Sequence, residues 1–494
     1  MEHCVRQQNM WRLTRADYLK LVPILALAFY LAFIPHLDYP YPVHIDEWVH
    51  LTQSKAMLQA QDTTYLNPFS GQSTVGIGSN LEAGFHLFWG VFHQISGIPW
   101  LTIFRYFPSI IFIITVLSVY ILAWRQGFGW EAALFTCLVP TTVGIMGPAF
   151  LVPLATGLIF IALSLFIVFN YGNKWSSYAV LFIFTCFLLA MHAPTAVGLV
   201  IVFIPYILLN LKGNFRTSLA ITLSLSMPFL LVFPWIFDML LPAAKSLLVQ
   251  TPPSPYVDIP RVIQTYGYIP VLSCLVGTLI LAVRGKKEDY SLVLGLIALL
   301  LMLVIFWKFH YGLHIMYHRG LVYMMLMMSV VAGAGLMGVK KLRLPEKMNV
   351  RLGKPVIAKS VGPILCLALI GIILAQTIPQ RQAIPYYHMI DEADYNAFVW
   401  IRDNVSEDYD KAILDPWKAT AFAAVTGKYV YTRTHMAPKD KDREANKFLR
   451  GGSTDSEFLR ENGISIVYTS VQSQNPDLTE VRKNVYLLQE AGNQ

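Results

Sequence analysis

For its first three-quarters the chain repeats one pattern: long apolar runs separated by short polar connectors. A membrane-spanning helix needs about 20 mainly apolar residues. Such runs fall near 18–35, 101–124, 130–147, 148–170, 175–192, 194–211, 217–237, 267–283, 290–307, 319–339 and 357–378. They predict a polytopic α-helical membrane domain of about 11 spans over residues 1–378, with proline and glycine interrupting the fourth and fifth runs. The pattern changes at Pro379. ADYNAFVWIRDNV reads as a helix, KAILD as a buried strand, and PWKATAFAAVTG as a helix opened by proline. KYVYT and ISIVYTS supply two further strands. Strands alternating with helices predict a small α/β domain over 379–494, with a largely parallel sheet.

One connector is long. Residues 36–100 form a first loop of a length that is uncommon unless it is functional. Within it, 46–60 reads as a helix starting at an acid pair, and LEAGFHLFWGVFHQIS (81–96) as an apolar-aromatic helix. Both are expected to lie on the membrane surface. Lys and Arg set the orientation. Arg6, Arg12, Arg15 and Lys20 hold the N-terminus in the cytoplasm. Alternation then puts Arg125, Lys174, Lys212/Arg216, Arg284–Lys287 and the basic loop 340–359 inside. It leaves the first loop and the C-terminal domain outside the cytoplasm. The run Tyr18–Pro35 lacks a small-residue cleavage site and reads as a retained span.

Composition agrees: 55% hydrophobic and only 14% charged, against about 25% charged in soluble domains. The net charge of +8 sits in connectors between apolar runs, as membrane topology requires, so no nucleic-acid partner is expected. Cys4, Cys137, Cys186, Cys274 and Cys366 lie in the N-terminal arm or in apolar runs. That pattern excludes a disulfide framework and a zinc site of paired cysteines. GQSTVGIGS has no Lys and is no phosphate-binding loop.

Ionisable side chains are costly inside a bilayer, so their places inform. The span interiors hold almost none; candidates gather at the outer ends. In HIDEWVH, Asp46 and Glu47 diverge by about 100° on a helix. Asp46 can serve as general base or metal ligand with Glu47 supporting it, or the two acids can simply complement the helix dipole. His50 lies four residues past Asp46, and with His44 it can orient that carboxylate or contact substrate. In KFHYGLHIMYHRG, His310, His314 and His318 would share a face if helical, able to bind metal or to meet headgroups. Arg319 can hold a lipid phosphate bidentately or snorkel to the headgroup layer. Lys308 and Arg105 receive the same two readings. The site expected from these positions is a cavity bordered by the first loop, the outer span ends, the tail and TPPSPY (251–256).

With HIDEWVH in a long first outer loop, some eleven spans and an outer α/β tail, the chain resembles the GT-C superfamily of membrane glycosyltransferases. WIRDNVSEDYDKAILDPWKATAFAAVTGKYVYT is similar to the tails of oligosaccharyltransferase catalytic subunits, and HIDEWVH to the first-loop motif of protein mannosyltransferases. The resemblance implies a polyprenyl-phosphate-linked sugar donor held among membrane lipids, and a glycan, protein or lipid acceptor. It implies inverting transfer with Asp46 as general base, and positive charge for the leaving phosphate from Arg319 and His318, with Lys308 and Arg105 in reserve. A divalent cation, Mg or Mn, stays open, with Asp46 its ligand if one binds. Two departures stand out. LDPWKA retains only Asp415 and Trp417 of a WWDYG-type motif, and GIMGPAFLVP lacks the second acidic motif. The acceptor is therefore not fixed as an Asn sequon. A transporter or flippase of lipid-linked sugars is the first alternative, although its expected midplane charges and matched broken helices are not evident in the sequence. A catalytically degenerate scaffold subunit is the second.

Overall fold

The computed structural model describes residues 15–142, 144–247, 249, 258–343, 355–386, 388–434 and 439–489. Cys4, Arg6, Arg12, the TPPSPY segment and residues 344–354 of the basic loop lie outside the described residues. Contacts divide the chain into two compact units. One comprises Met1–Pro35 with Tyr106–Pro385, the other His36–Arg105 with Tyr386–Gln494. The first loop thus clusters with the tail, whereas the sequence reading counts it with the membrane domain.

The helical unit follows the apolar runs. Eight described helices are long and apolar enough to cross a membrane, or nine with a bent pair. Two expected spans, 175–192 and 194–211, merge into one helical run, Trp175–Asn210, broken at His192. Unbroken, its 36 residues would extend about 54 Å. Yet its two ends are neighbours. Tyr178 Oη lies 3.4 Å from Thr217 Oγ1 just past the run, and the rings of Phe169 and Tyr206 are 5.2 Å apart. The run therefore folds back as a hairpin of two legs. Pro194, which has no amide proton and clashes with the preceding turn, accounts for the break.

The run 130–147 departs from expectation. Helix persists only from Gly129 to Cys137, and Ile145–Val152 are buried without helix. Pro140 and Pro148, with the Thr-Thr pair between them, end it early. The fourth run becomes helical only from Pro153. A broken helix, not evident in the sequence, is also present: Ile259–Tyr266 and Tyr268–Arg284 meet at 102° around Gly267. The φ of +113° at Gly267 is one that a side chain would strain.

Tyr268–Arg284 packs against His314–Lys340 through glycine. A Cβ at Gly277 would sit 2.0 Å from Val331 O, and one at Gly335 2.0 Å from Ser273 O. Small residues let these backbones touch, the usual device where lipid offers no hydrophobic drive. At one end of the unit Lys20, Lys340, Lys341 and Arg343 line a cavity of about 1100 Å³, with Asp17, Glu131, Trp124 and Trp130. Lys340 Nζ meets Glu131 Oε1 at 2.8 Å.

The second unit joins loop and tail. Its centre is the helix Ile45–Ala60, whose Ile45, Trp48 and Leu51 are almost fully buried. The expectation of a surface helix is corrected here. The helix packs on Ala419–Thr426, where Lys55 Nζ donates to Ala424 O (2.8 Å). Val430 N also donates to Phe69 O (2.8 Å), a direct backbone tie between loop and tail. The helix Ala83–Ser96 keeps Leu87, Phe88, Val91 and Ile95 exposed and Phe85, His86 and Trp89 buried, an amphipathic division suited to an interface.

The tail sheet is mixed, not largely parallel. In order it runs Tyr429–Val430, Lys411–Ile413, Ile466–Tyr468, Val485–Leu488, Leu478–Arg482. The first three strands are parallel and the last two add an antiparallel hairpin. Sequence reading missed that hairpin. Its signal was Asn484, which turns with φ +68°.

Candidate active site

Local rules place the first-loop acids. His44 has extended backbone and caps the helix Ile45–Ala60, its Nδ1 accepting from the Asp46 amide at 3.1 Å. Glu47 reaches back, Oε2 accepting from the amides of Val43 (2.8 Å) and His44 (3.0 Å). This is a capping box with an acid three residues past the cap. Glu47 is fully buried by this role. His44 Nδ1, used as an acceptor, cannot also donate to Asp46 Oδ1 at 3.9 Å. Glu47 thus holds the turn through its carboxylate, while Asp46 gives its amide to the His44 cap.

The cation beside Asp46 is one that sequence reading missed. Arg433 stacks its guanidinium 4.0 Å over the ring of Phe69. Burial draws its pKa down, and the negative charge of Asp46 pushes it back up. Its Nη1 is buried with no hydrogen-bond partner among the described residues. A lone Arg in a tail of many charges carries no sequence signal.

His50 brings its imidazole to a second acid and a second histidine of the first loop. Its Nδ1 lies 3.0 Å from His86 Nε2 and 3.8 Å from Glu82 Oε2. These three ligand atoms all lie within 4.8 Å of one another. Burial lowers the His86 pKa to about 3. The ligand-capable trio does not include Asp46. Arg105 donates from Nη2 to the His36 carbonyl at 3.3 Å, so part of its guanidinium is engaged in holding the loop.

In the helical unit, Lys308 closes the helix Lys287–Phe309 and is exposed. His310 is its left-handed cap and Gly312 has φ +125°, so the next helix starts only at His314. Only His314 and His318 share a face, their rings 4.3 Å apart. The three-histidine face is therefore not formed. Arg319, one residue on, has a buried Nε with no hydrogen-bond partner among the described residues. Its charge is felt by His192 and Tyr323 inside the bundle.

In the tail, Asp415 Oδ1 accepts from the Trp417 amide (3.0 Å), so LDPWKA forms a turn before the helix begins at Ala419. Lys418 Nζ instead reaches buried Asp394 at 2.7 Å, which also accepts from Tyr468 Oη at 2.7 Å. Asp394 and Lys418 border a polar cavity of about 530 Å³ with Tyr39, Tyr41, His388 and Asp391.

No family model and no curated protein matches the chain. Solved structures do. The apo oligosaccharyltransferase of Archaeoglobus fulgidus matches with TM-score 0.62 at 11% identity, over 90% of this chain and 69% of that one. ArnT from Cupriavidus metallidurans matches with TM-score 0.55 at 13% identity, over 96% and 98%. Arabinofuranosyltransferase AftD from Mycobacteria matches with TM-score 0.57 at 14% identity, over 96% of this chain and 38% of that one. At such identities the likeness is one of fold: the chain carries the fold of GT-C glycosyltransferases.

Proposed function

We propose that this protein is a membrane glycosyltransferase that moves a sugar from a polyprenyl-phosphate-linked donor to an acceptor, with Asp46 as general base. The observation that carries the reading is the division of labour at the start of the helix Ile45–Ala60. Glu47 is committed to backbone amides, while the neighbouring carboxylate faces a buried arginine. A fold shared with three glycosyltransferases supports this reading. The archaeal enzyme AglB has also been solved in complex with an inhibitory peptide and a dolichol-phosphate, a coarse guide to donor and acceptor.

In this mechanism Asp46 takes the proton of the acceptor's nucleophile as its lone pair attacks the anomeric carbon. The bond from that carbon to the phosphate oxygen breaks with inversion, and its electron pair leaves on the phosphate. Arg319, with His318, supplies positive charge to that phosphate, the Arg319 Nε having no hydrogen-bond partner among the described residues. Lys308 is its exposed reserve, and Arg433 is a buried cation that feels the charge of the base. Glu47 and His44 position the helix start. Apolar helices hold the polyprenyl chain. The loop–tail unit is assigned to the extracytoplasmic side and the N-terminus to the cytoplasm. The basic cavity around Lys20 and Lys340–Arg343 supports that sidedness. The A. fulgidus enzyme was also solved with Zn and sulfate, but here the converging ligand set leaves Asp46 out, so no step is routed through a metal.

Asp46→Asn should abolish transfer from a radiolabelled polyprenyl-phosphate sugar, by at least about a hundredfold, while the purified variant melts as wild type does and still co-purifies with the donor lipid. Transfer at the wild-type rate would overturn the assignment. The 102° bent helix favours one rival, transport of lipid-linked sugars. A flippase would keep its activity in Asp46→Asn.

A further inference from the structure

The helices Ile45–Ala60 and Ala83–Ser96 meet along two rows with fourfold spacing. His50, Ser54 and Leu58 face Glu82, His86 and Gly90. A Cβ on Gly90 would meet Ser54 O at 3.5 Å and Leu58 Cβ at 3.8 Å, ordinary contact distances that mark the two helices as directly packed. One turn earlier, this approach brings His50 Nδ1, His86 Nε2 and a Glu82 oxygen together. Both histidines are buried and Glu82 is half-buried.

We propose that His50, Glu82 and His86 bind one Zn²⁺, which clamps the helix carrying Asp46 to the helix Ala83–Ser96. Zn–N and Zn–O bonds of about 2.0–2.2 Å in a tetrahedron set ligand atoms roughly 3.3 Å apart. The separations of 3.0 and 3.8 Å bracket that value within about half an ångström. Two imidazole nitrogens and one carboxylate oxygen suit zinc better than Mg²⁺ or Ca²⁺, which prefer all-oxygen shells. Zinc takes three protein ligands readily and completes its shell with water. His86 turns its Nε2 toward His50, the side on which the ion would sit. Its second nitrogen already has a companion: the Asn80 amide sits 3.1 Å from Nδ1 and in turn contacts Tyr65 Oη at 3.2 Å. A half-turn of that amide offers its oxygen to the ring N–H that metal binding requires. Bound zinc would replace a histidine–histidine hydrogen bond with a fixed crosslink.

The test uses the intact protein in nanodiscs, stripped with chelator and then titrated with Zn²⁺ alone. One tightly held equivalent is expected, with a zinc X-ray absorption edge showing four nitrogen and oxygen neighbours of which two are imidazole. Glu82→Gln, a half-exposed change that preserves shape, should weaken binding by at least about tenfold, and His86→Ala should weaken it more. Asp46→Asn should hold zinc as wild type does while losing sugar transfer, which separates this site from the catalytic assignment. Absence of retained zinc in the wild type would overturn the proposal. So would zinc that survives Glu82→Gln and His86→Ala, or zinc that Asp46→Asn removes.

Discussion

Replacing Glu47 with Ala strips the acceptor from the amides of Val43 and His44 in a fully buried turn. A lost cap with orphaned donors should cost about 1–2 kcal/mol, read as a lower melting temperature in detergent. Activity and stability should fall together in Glu47→Ala and part company in Asp46→Asn. Lys55 supplies a second residue-scale outcome. Burial lowers its pKa to about 8, with the charge of Arg402 adding to the effect, against 10.5 when exposed. Below pH 8 both folded and unfolded chains carry the proton. Between 8 and 10.5 only the unfolded chain does, so this group adds stability as pH rises through that window. A melting series from pH 7.5 to 10 should show the rise, and Lys55→Met should flatten it. At this scale the sequence made Asp46 and Glu47 visible as a pair but could not separate them. The distinction depends on which carboxylate turns back toward the amides at 43 and 44. Arg433 was illegible for a similar reason: only the fold brings it, from nearly 400 residues on, to Asp46.

Among elements, the apolar period located helices well because about 20 apolar residues leave few other structures. It divided 175–211 at the position where the helical run breaks, His192, but did not foresee that 130–147 would straighten out of helix after Cys137. Both places lie beside proline, where the chain can kink or stop, and packing decides which. The helix Ile45–Ala60 was recognised by its acids. It packs on Ala419–Thr426 of the tail, a partner that no local pattern reveals. Close packing makes the glycine contacts testable. Gly277→Val would push a side chain into Val331 O, forcing apart helices whose backbones now touch. A lower melting temperature is expected, with Thr278→Val, one residue on and only half-buried, as the quiet control.

The whole chain assembles its second unit from two stretches separated by the helical unit. A protein ending at Pro385 lacks Ala419–Thr426 and the sheet beyond it. The first loop should then lose its order, and trypsin should cut at Lys55, which the full chain protects. Supplying residues 386–494 in trans should restore protection if the tail folds unaided around its own core of Ile413, Leu459, Ile464, Val467 and Tyr486. Sequence reading found both pieces and the fold class, because each has its own composition. It could not pair them, because pairing is a property of distance across hundreds of residues.

That pairing has a temporal side. Translation delivers the loop, with Trp48 on its helix Ile45–Ala60, long before Ala419–Thr426, which packs on that helix. Some 300 residues must still be made, which at roughly 5–20 residues per second takes on the order of a quarter to a full minute. Throughout that interval a large indole and its apolar neighbours wait uncovered, so nascent chains should depend on a chaperone or on the lipid surface for shelter. Slowing elongation downstream of the loop should therefore lower the yield of intact protein.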